Sequence, residues 1–334
     1  MQMIKNQLVI RSLFILCMAT YVHQANAKTV RWCVYDFAGQ NGDVMSLMKD
    51  YALASKHWGV DAKLKVYAED QLALQDFKDN KCDAVMASSF VTRPYSHFGG
   101  TLNAVGLIPN HKVAEQVFLS LADPKLAPYM VEEQTEMVGW FPVGSAYFMV
   151  QDRAINSITH LAGLKVGVMK EDPSQTRLAR RIGAIPYYIN FKTASVQFLQ
   201  REIDVLPAPI YAYSAFDLHH SLGKKGGVIN YPISYISLNA IIKKDAFPAK
   251  YGQLSRNWFK AKTPTMMNNV LNWERSMPNK YWYDLPLSER QAYQRLVVQL
   301  RKEFIDSKVY HPILINLVLK NHCKIEVNYF ECRK

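Results

Sequence analysis

The sequence predicts an α/β fold of two lobes, each a mainly parallel sheet with flanking helices, joined by hinge strands and followed by a helical C-terminal region. Three observations predict it. First, the chain repeats a phrase: Phe77 is followed six residues later by Asp83 and an apolar run, and Phe198 by Asp204 and another. Second, each copy closes a segment whose apolar pattern reads β-α-β-α-β. Third, extended stretches rich in Tyr, Val, Ile, Gly and Pro follow each copy, where strands would cross between lobes.

The elements follow in order. Val30 to Tyr35 is apolar and β-prone, a first strand ending at Asp36 and Phe37. From Asp43, Val44, Met45, Leu47, Met48, Tyr51 and Ala52 recur at helical spacing, and Gly59 stops the helix. Ala62, Leu64 and Val66 alternate with Lys63, Lys65 and Tyr67 as a half-buried strand. Asp70 is expected to cap a helix carrying Leu72, Leu74 and Phe77, and Ala84 to Ala87 is strand three. The second copy runs Leu164 to Met169 as strand and Pro173 to Ile182 as helix, with proline in its first turn. Ala184 to Ile189 (strand), Ala194 to Gln200 (helix) and Ile203 to Leu206 (strand) complete it. Lys112 to Leu121, Val138 to Val150 and Gly227 to Ile242 are read as extended. Helices are expected over Tyr251 to Lys260, Pro264 to Arg275 and Leu287 to Phe304.

An export signal is expected over residues 1–27. Lys5 and Arg11 supply the positive start, Leu13 to Met18 an apolar run too short to span a bilayer, and Ala25-Asn26-Ala27 the small-x-small cleavage site. No later stretch is apolar for long enough to cross a membrane. The expected division is then 28–138 as lobe 1, 139–235 as lobe 2, and 236–334 as a return strand and helices packing on lobe 1 and the hinge. The net charge is +12; removing two cations and no acids leaves +10. The basic residues are scattered, so a solvated surface is expected rather than a nucleic-acid face. In an oxidising compartment four cysteines form two disulfides by default, and three pairings are open. Cys33 with Cys82 is preferred because they fall on neighbouring strands, and Cys323 with Cys332 as a clip on the tail.

Enzyme signatures are missing: no nucleophile elbow, phosphate loop, dinucleotide fingerprint or H-E-x-x-H zinc motif occurs. No metal or cofactor is expected, and no catalysis. Binding fits better, because ligands of open α/β sheets sit beyond the carboxyl ends of the parallel strands. Those ends carry Tyr35, Asp36, Ser88, Ser89 and Arg93 in the first lobe, and Lys170, Glu171 and Tyr211 in the second. Arg93 offers a planar guanidinium for a carboxylate. Tyr147 is a further ring for stacking.

Leu161-Ala-Gly-Leu-Lys-Val-Gly-Val, Arg181-Ile-Gly-Ala and Phe198 to Asp204 resemble the second lobe of periplasmic solute-binding proteins. The class is that of the tripartite ATP-independent periplasmic (TRAP, DctP-like) transporters, with a type II two-lobed fold. The resemblance implies closure of two lobes on a small-molecule ligand, a periplasmic location and a membrane permease as partner. It also implies an arginine gripping the ligand carboxylate, but Gly167 stands at that place, so Arg93 or Arg177 would have to substitute for it. The whole chain is similar to the AdeT-type proteins, labelled putative RND efflux components linked to aminoglycoside resistance. That label implies an alternative, a soluble accessory partnered with efflux subunits. A pump would need many membrane spans and an adaptor long heptad hairpins, and neither pattern is present.

Overall fold

The structure, a computed structural model, describes residues 27–190, 193–215 and 218–332. The expected export signal lies outside the described residues except for Ala27. Eleven strands among these residues form one sheet: β1 Lys28–Tyr35, β2 Val60–Tyr67, β3 Ala84–Ser88, β4 Val131–Glu132, β5 Thr135–Val150, β6 Lys165–Met169, β7 Ile185–Ile189, β8 Val205–Pro209, β9 Gly227–Ile229, β10 Ser234–Lys243 and β11 Trp282–Tyr283. The helices are α1 Asp43–Lys56, α2 Asp70–Lys78, α3 Ser89–Thr92, α4 His97–Gly100, α5 His111–Ser120, α6 Pro173–Arg181, α7 Ala194–Leu199, α8 Tyr211–Ala215, α9 Leu218–Leu222, α10 Tyr251–Ser276, α11 Leu287–Asp306 and α12 Pro312–Ile325.

The main strand order is β2-β1-β3-β10-β5-β8-β6-β7. Counted inward from either end it reads the same way: second, first and third strand of a copy, then a long strand. Within each copy the strands pair in parallel, while β10 and β5 run antiparallel to them and to each other. Two β-α-β-α-β units thus share one sheet, joined by the two long strands in the middle. Both disulfides form as preferred, Cys33–Cys82 and Cys323–Cys332.

The duplicated phrase has a local physical meaning. At the end of α2, Lys81 N–H bonds the Asp76 carbonyl and Asn80 N–H the Phe77 carbonyl, with Asn80 at φ 59°. At the end of α7, Glu202 bonds Gln197 and Arg201 bonds Phe198 in the same way, with Arg201 at φ 60°. Both are Schellman ends, which satisfy the last carbonyls of a helix through one left-handed residue. Phe77 and Phe198 anchor these ends in the core, both fully buried.

Four expectations change. Lys112 to Leu121 is helix α5, not an extended stretch: Val113, Ala114, Val117 and Phe118 share one buried face, and Asn110 accepts from Val113 N–H as its cap. The spacing of these four residues is helical, which the reading as an extended stretch overlooked. Pro264 does not divide two helices; it lies inside the continuous α10, whose Tyr251, Phe259, Met266 and Val270 are buried along it. Core packing along the whole helix outweighs the one backbone bond that proline removes. Asp70 opens α2 rather than capping it, and its carboxylate accepts from Ser88 Oγ at 2.5 Å. The closing strand of the second copy runs Val205–Pro209, later than Ile203 to Leu206.

Candidate ligand-binding site

A cavity of about 130 Å³ lies where the two copies and the long strands meet. From the first copy it is lined by the end of β1 (Tyr35, with Asp36 and Phe37 following), by Val44 at the start of α1, by Ser88 at the end of β3 and by Phe90 beyond it. The second copy contributes Val166 to Met169 of β6, Gln175 and Leu178 of α6, and Leu206 to Pro209 of β8, with Tyr211 beyond. The long strands form its floor: Phe141, Val143, Ala146 and Phe148 alternate along β5, and Ser234, Ile236 and Leu238 along β10. The alternation follows from the pleat, which turns every second side chain to one face. Near the middle of β5 the rhythm shifts at Gly144, whose φ of +119° favours glycine and lies beside a register shift against β10.

Of the residues expected at the site, Tyr35, Asp36, Ser88 and Tyr211 line the cavity. Asp36 is buried and its carboxylate accepts from Ala38 N–H at 3.0 Å and Met45 N–H at 2.9 Å. Burial pushes the Asp36 carboxyl above its ordinary range, opposed by those amide donors. Burial likewise raises the phenols of Tyr35 and Tyr211. The Tyr211 ring meets Phe37 edge-on at 4.7 Å and lies 4.4 Å from Trp273 of α10, so it bridges three parts of the chain.

The others lie elsewhere. Arg93 Nη1 donates to Asp172 Oδ1 at 2.9 Å, Nη2 to Asn103 Oδ1 at 2.8 Å, and Nε to the Gly100 carbonyl. Asp172 also accepts from Ser174 N–H as the cap of α6. This ion pair, 11% and 1% exposed, ties the end of β3 to the end of β6. Next to it Gln71 Nε2 donates to Glu171 Oε1 at 2.5 Å, a second link between the copies. Burial and the Glu171 charge raise the carboxyl of the neighbouring Asp70, against the Ser88 hydrogen bond. Ser89 is buried at the start of α3. Lys170 is exposed, and Arg177 is exposed beside Ser307 and the Phe304 ring. Tyr147 donates to Glu274 Oε1 at 3.0 Å and packs edge-on against Trp282.

The sequence reading missed the floor and Gln175. The alternation in β5 was visible, but nothing in the chain says which of its faces looks into a cavity. Gln175 Oε1 accepts from Met169 N–H at 2.8 Å, which fixes the side chain beside the end of β6. Gly167 borders the cavity; a Cβ there would stand 2.9 Å from Ile189 Cδ1.

The family model of the solute-binding proteins AdeT 1/2 matches residues 45–334. The chain belongs to that family. It is 36% identical over 299 residues to the "Probable solute-binding protein AdeT1" of Acinetobacter baumannii, covering 90% of this chain and 98% of that one. Among solved structures it resembles a TRAP periplasmic solute-binding protein from Ralstonia eutropha with bound (S)-2-acetolactate. The TM-score is 0.71 at 12% identity, over 89% of this chain and 99% of the other. It also resembles the periplasmic ectoine-binding protein of the TeaABC TRAP transporter from Halomonas elongata. There the TM-score is 0.68 at 13% identity, over 88% and 98% of the two chains. These likenesses establish the two-lobed fold, and the family is one of solute-binding proteins.

Proposed function

We propose that the protein captures one small molecule in the cavity between its lobes, in the periplasm, and presents it to a membrane permease. The observation that carries this reading is the position of the cavity, beyond the carboxyl ends of β1, β3, β6 and β8 and above the two crossing strands. In this reading residues 28–138 act as lobe 1, 139–235 as lobe 2, and 236–334 as return strand and supporting helices, after loss of a signal over 1–27. Among the described residues no helix is long and apolar enough to cross a membrane. Binding shifts the lobes toward the closed form, since only that form completes both walls of the cavity. The Arg93–Asp172 and Gln71–Glu171 links lie across the same seam and hold it shut. They act as closure contacts rather than ligand contacts.

The efflux-accessory reading gains nothing from this site. A polycationic aminoglycoside needs several accessible carboxylates, whereas Asp36 is turned to backbone amides and Asp172 to Arg93. The expected result is that native mass spectrometry of freshly purified protein finds a co-purified small molecule. Adding back that compound should raise the melting temperature. A broad metabolite panel without a single stabilising compound counts against the reading.

A further inference from the structure

We infer that the cavity takes a neutral, largely apolar molecule about the size of one six-membered ring, carrying a hydrogen-bonding group that Gln175 recognises. This deepens the solute-binding reading and rests on it. The size comes first. A cavity of about 130 Å³ is close to the ~150 Å³ apolar cavity that holds a benzene molecule. A disaccharide or an aminoglycoside does not fit.

The lining sets the charge. Among the described lining residues there is no lysine, arginine or histidine. The guanidiniums of Arg93 and Arg177 are engaged by Asp172 and Ser307, and Lys170 lies exposed outside the lining. An anion entering among Phe90, Phe141, Phe148, Val168 and Leu206 would lose its hydration with no counter-charge to replace it. A cation would meet a single carboxylate, Asp36, whose oxygens each already accept a backbone amide and whose burial disfavours the charged form, so the counter-charge on offer is weak. Neutral polarity is what remains. The Gln175 carbonyl oxygen is used by Met169 N–H, which leaves its amide NH₂ as a donor at the wall. Ser234 Oγ on β10 adds a hydroxyl that can donate or accept. A carbonyl or hydroxyl on a ring would pair with these groups while the ring fills the apolar part.

Four one-ring probes of nearly equal size test the inference on the disulfide-intact mature chain: benzamide, benzyl alcohol, benzoate and benzylammonium. Calorimetric titration and thermal shift should both show the two neutral probes binding, with benzoate and benzylammonium weaker by roughly tenfold or more. Gln175→Leu should weaken benzamide selectively over toluene. Ala208→Phe should abolish binding of every probe while circular dichroism and the urea midpoint report whether it still folds. Equal or tighter binding of either ion overturns the inference, and so does failure of both neutral probes. If an ionic solute binds and Ala208→Phe or Gln175→Leu blocks it, the neutral class is wrong while the solute-binding reading survives. If no solute of any class binds, both fail.

Discussion

In the first lobe Asp83 N–H bonds the Arg31 carbonyl at 2.8 Å and its carboxylate accepts Arg31 N–H at 2.8 Å. In the second lobe Asp204 does the same to Lys165, at 2.9 Å and 2.8 Å. Each repeated aspartate thus clips the third strand of its copy to the start of the first. Two residues along from those clips the copies diverge. Cys33, two after Arg31, is bonded to Cys82, just before Asp83. At the matching places of the second copy stand Gly167 and Ile203, with a Cβ on Gly167 falling 3.5 Å from Ile203 Cδ1. The first lobe is covalently closed there; the second has a glycine that borders the cavity. The difference teaches that the repeat encodes scaffold and its departures encode the site.

The largest effect should come from removing the lock that only the first lobe has. Cys33→Ser with Cys82→Ser opens a loop spanning 49 residues, worth about 4 kcal/mol on the chain-entropy account. Urea unfolding of the oxidised parent against the double variant measures it, and a loss below about 1 kcal/mol would show that the covalent lock adds little. A second asymmetry concerns two acids that follow the first strands, Asp36 after β1 and Asp172 after β6. The first satisfies amides of its own lobe, whereas the second is shared with Arg93 across the seam. Arg93→Ala should cost about 3 kcal/mol, because it strands a buried carboxylate. A double-mutant cycle should couple Arg93 to Asp172 strongly and leave Arg93 and Asp36 additive within about 0.5 kcal/mol. Coupling of Arg93 to Asp36 instead would erase the distinction between the two acids.

How far the chain could be read without its structure follows from the same comparison. The strands of both copies, α6 with its Pro173 start and the Cys323–Cys332 clip were legible because each rests on a local pattern, and Cys33–Cys82 followed once its two strands were placed side by side. Part of the cavity wall was legible too: Tyr35, Asp36 and Ser88 sit at strand ends and Tyr211 just beyond one, and topology alone puts strand ends beside the cavity. Arg93 was legible as a cation in that region but not as the partner of Asp172, since residues 79 apart in sequence meet only when the lobes do. The floor of β5 and β10 was hidden for a related reason. These strands are buried on both faces, so their composition does not mark the face that borders a void. Helix α5 was read as extended although the helical spacing of Val113, Ala114, Val117 and Phe118 is present in the sequence itself.

A smaller effect tests the shared clip itself. Asp83→Ala and Asp204→Ala should each cost about 2 kcal/mol, the loss of a charge-assisted hydrogen bond to a backbone amide. The Arg31 guanidinium beside Asp83 holds its carboxyl below the usual range, aided by the Arg31 amide. A depressed folded pKa stabilises above the unfolded value, near 4, and that contribution fades as pH falls through the lower folded value. Asp83→Asn should therefore flatten the acid limb of the stability curve below about pH 4. An unchanged limb would mean that other carboxylates govern it.

The smallest effect separates the two Schellman ends. Both need a left-handed residue, and the first supplies Asn80, which tolerates that conformation, while the second supplies Arg201, which does not. Arg201→Gly should therefore stabilise the protein by about 1 kcal/mol, because the relief of Cβ crowding outweighs the extra freedom of the unfolded chain. Asn80→Gly should change stability by only a few tenths of a kcal/mol. Urea midpoints of the two single variants under one condition give the comparison directly. If Asn80→Gly gained as much as Arg201→Gly, residue type at the left-handed position would not distinguish the copies. The asymmetry between the lobes would then reside wholly in the disulfide, Gly167 and the Arg93 bridge.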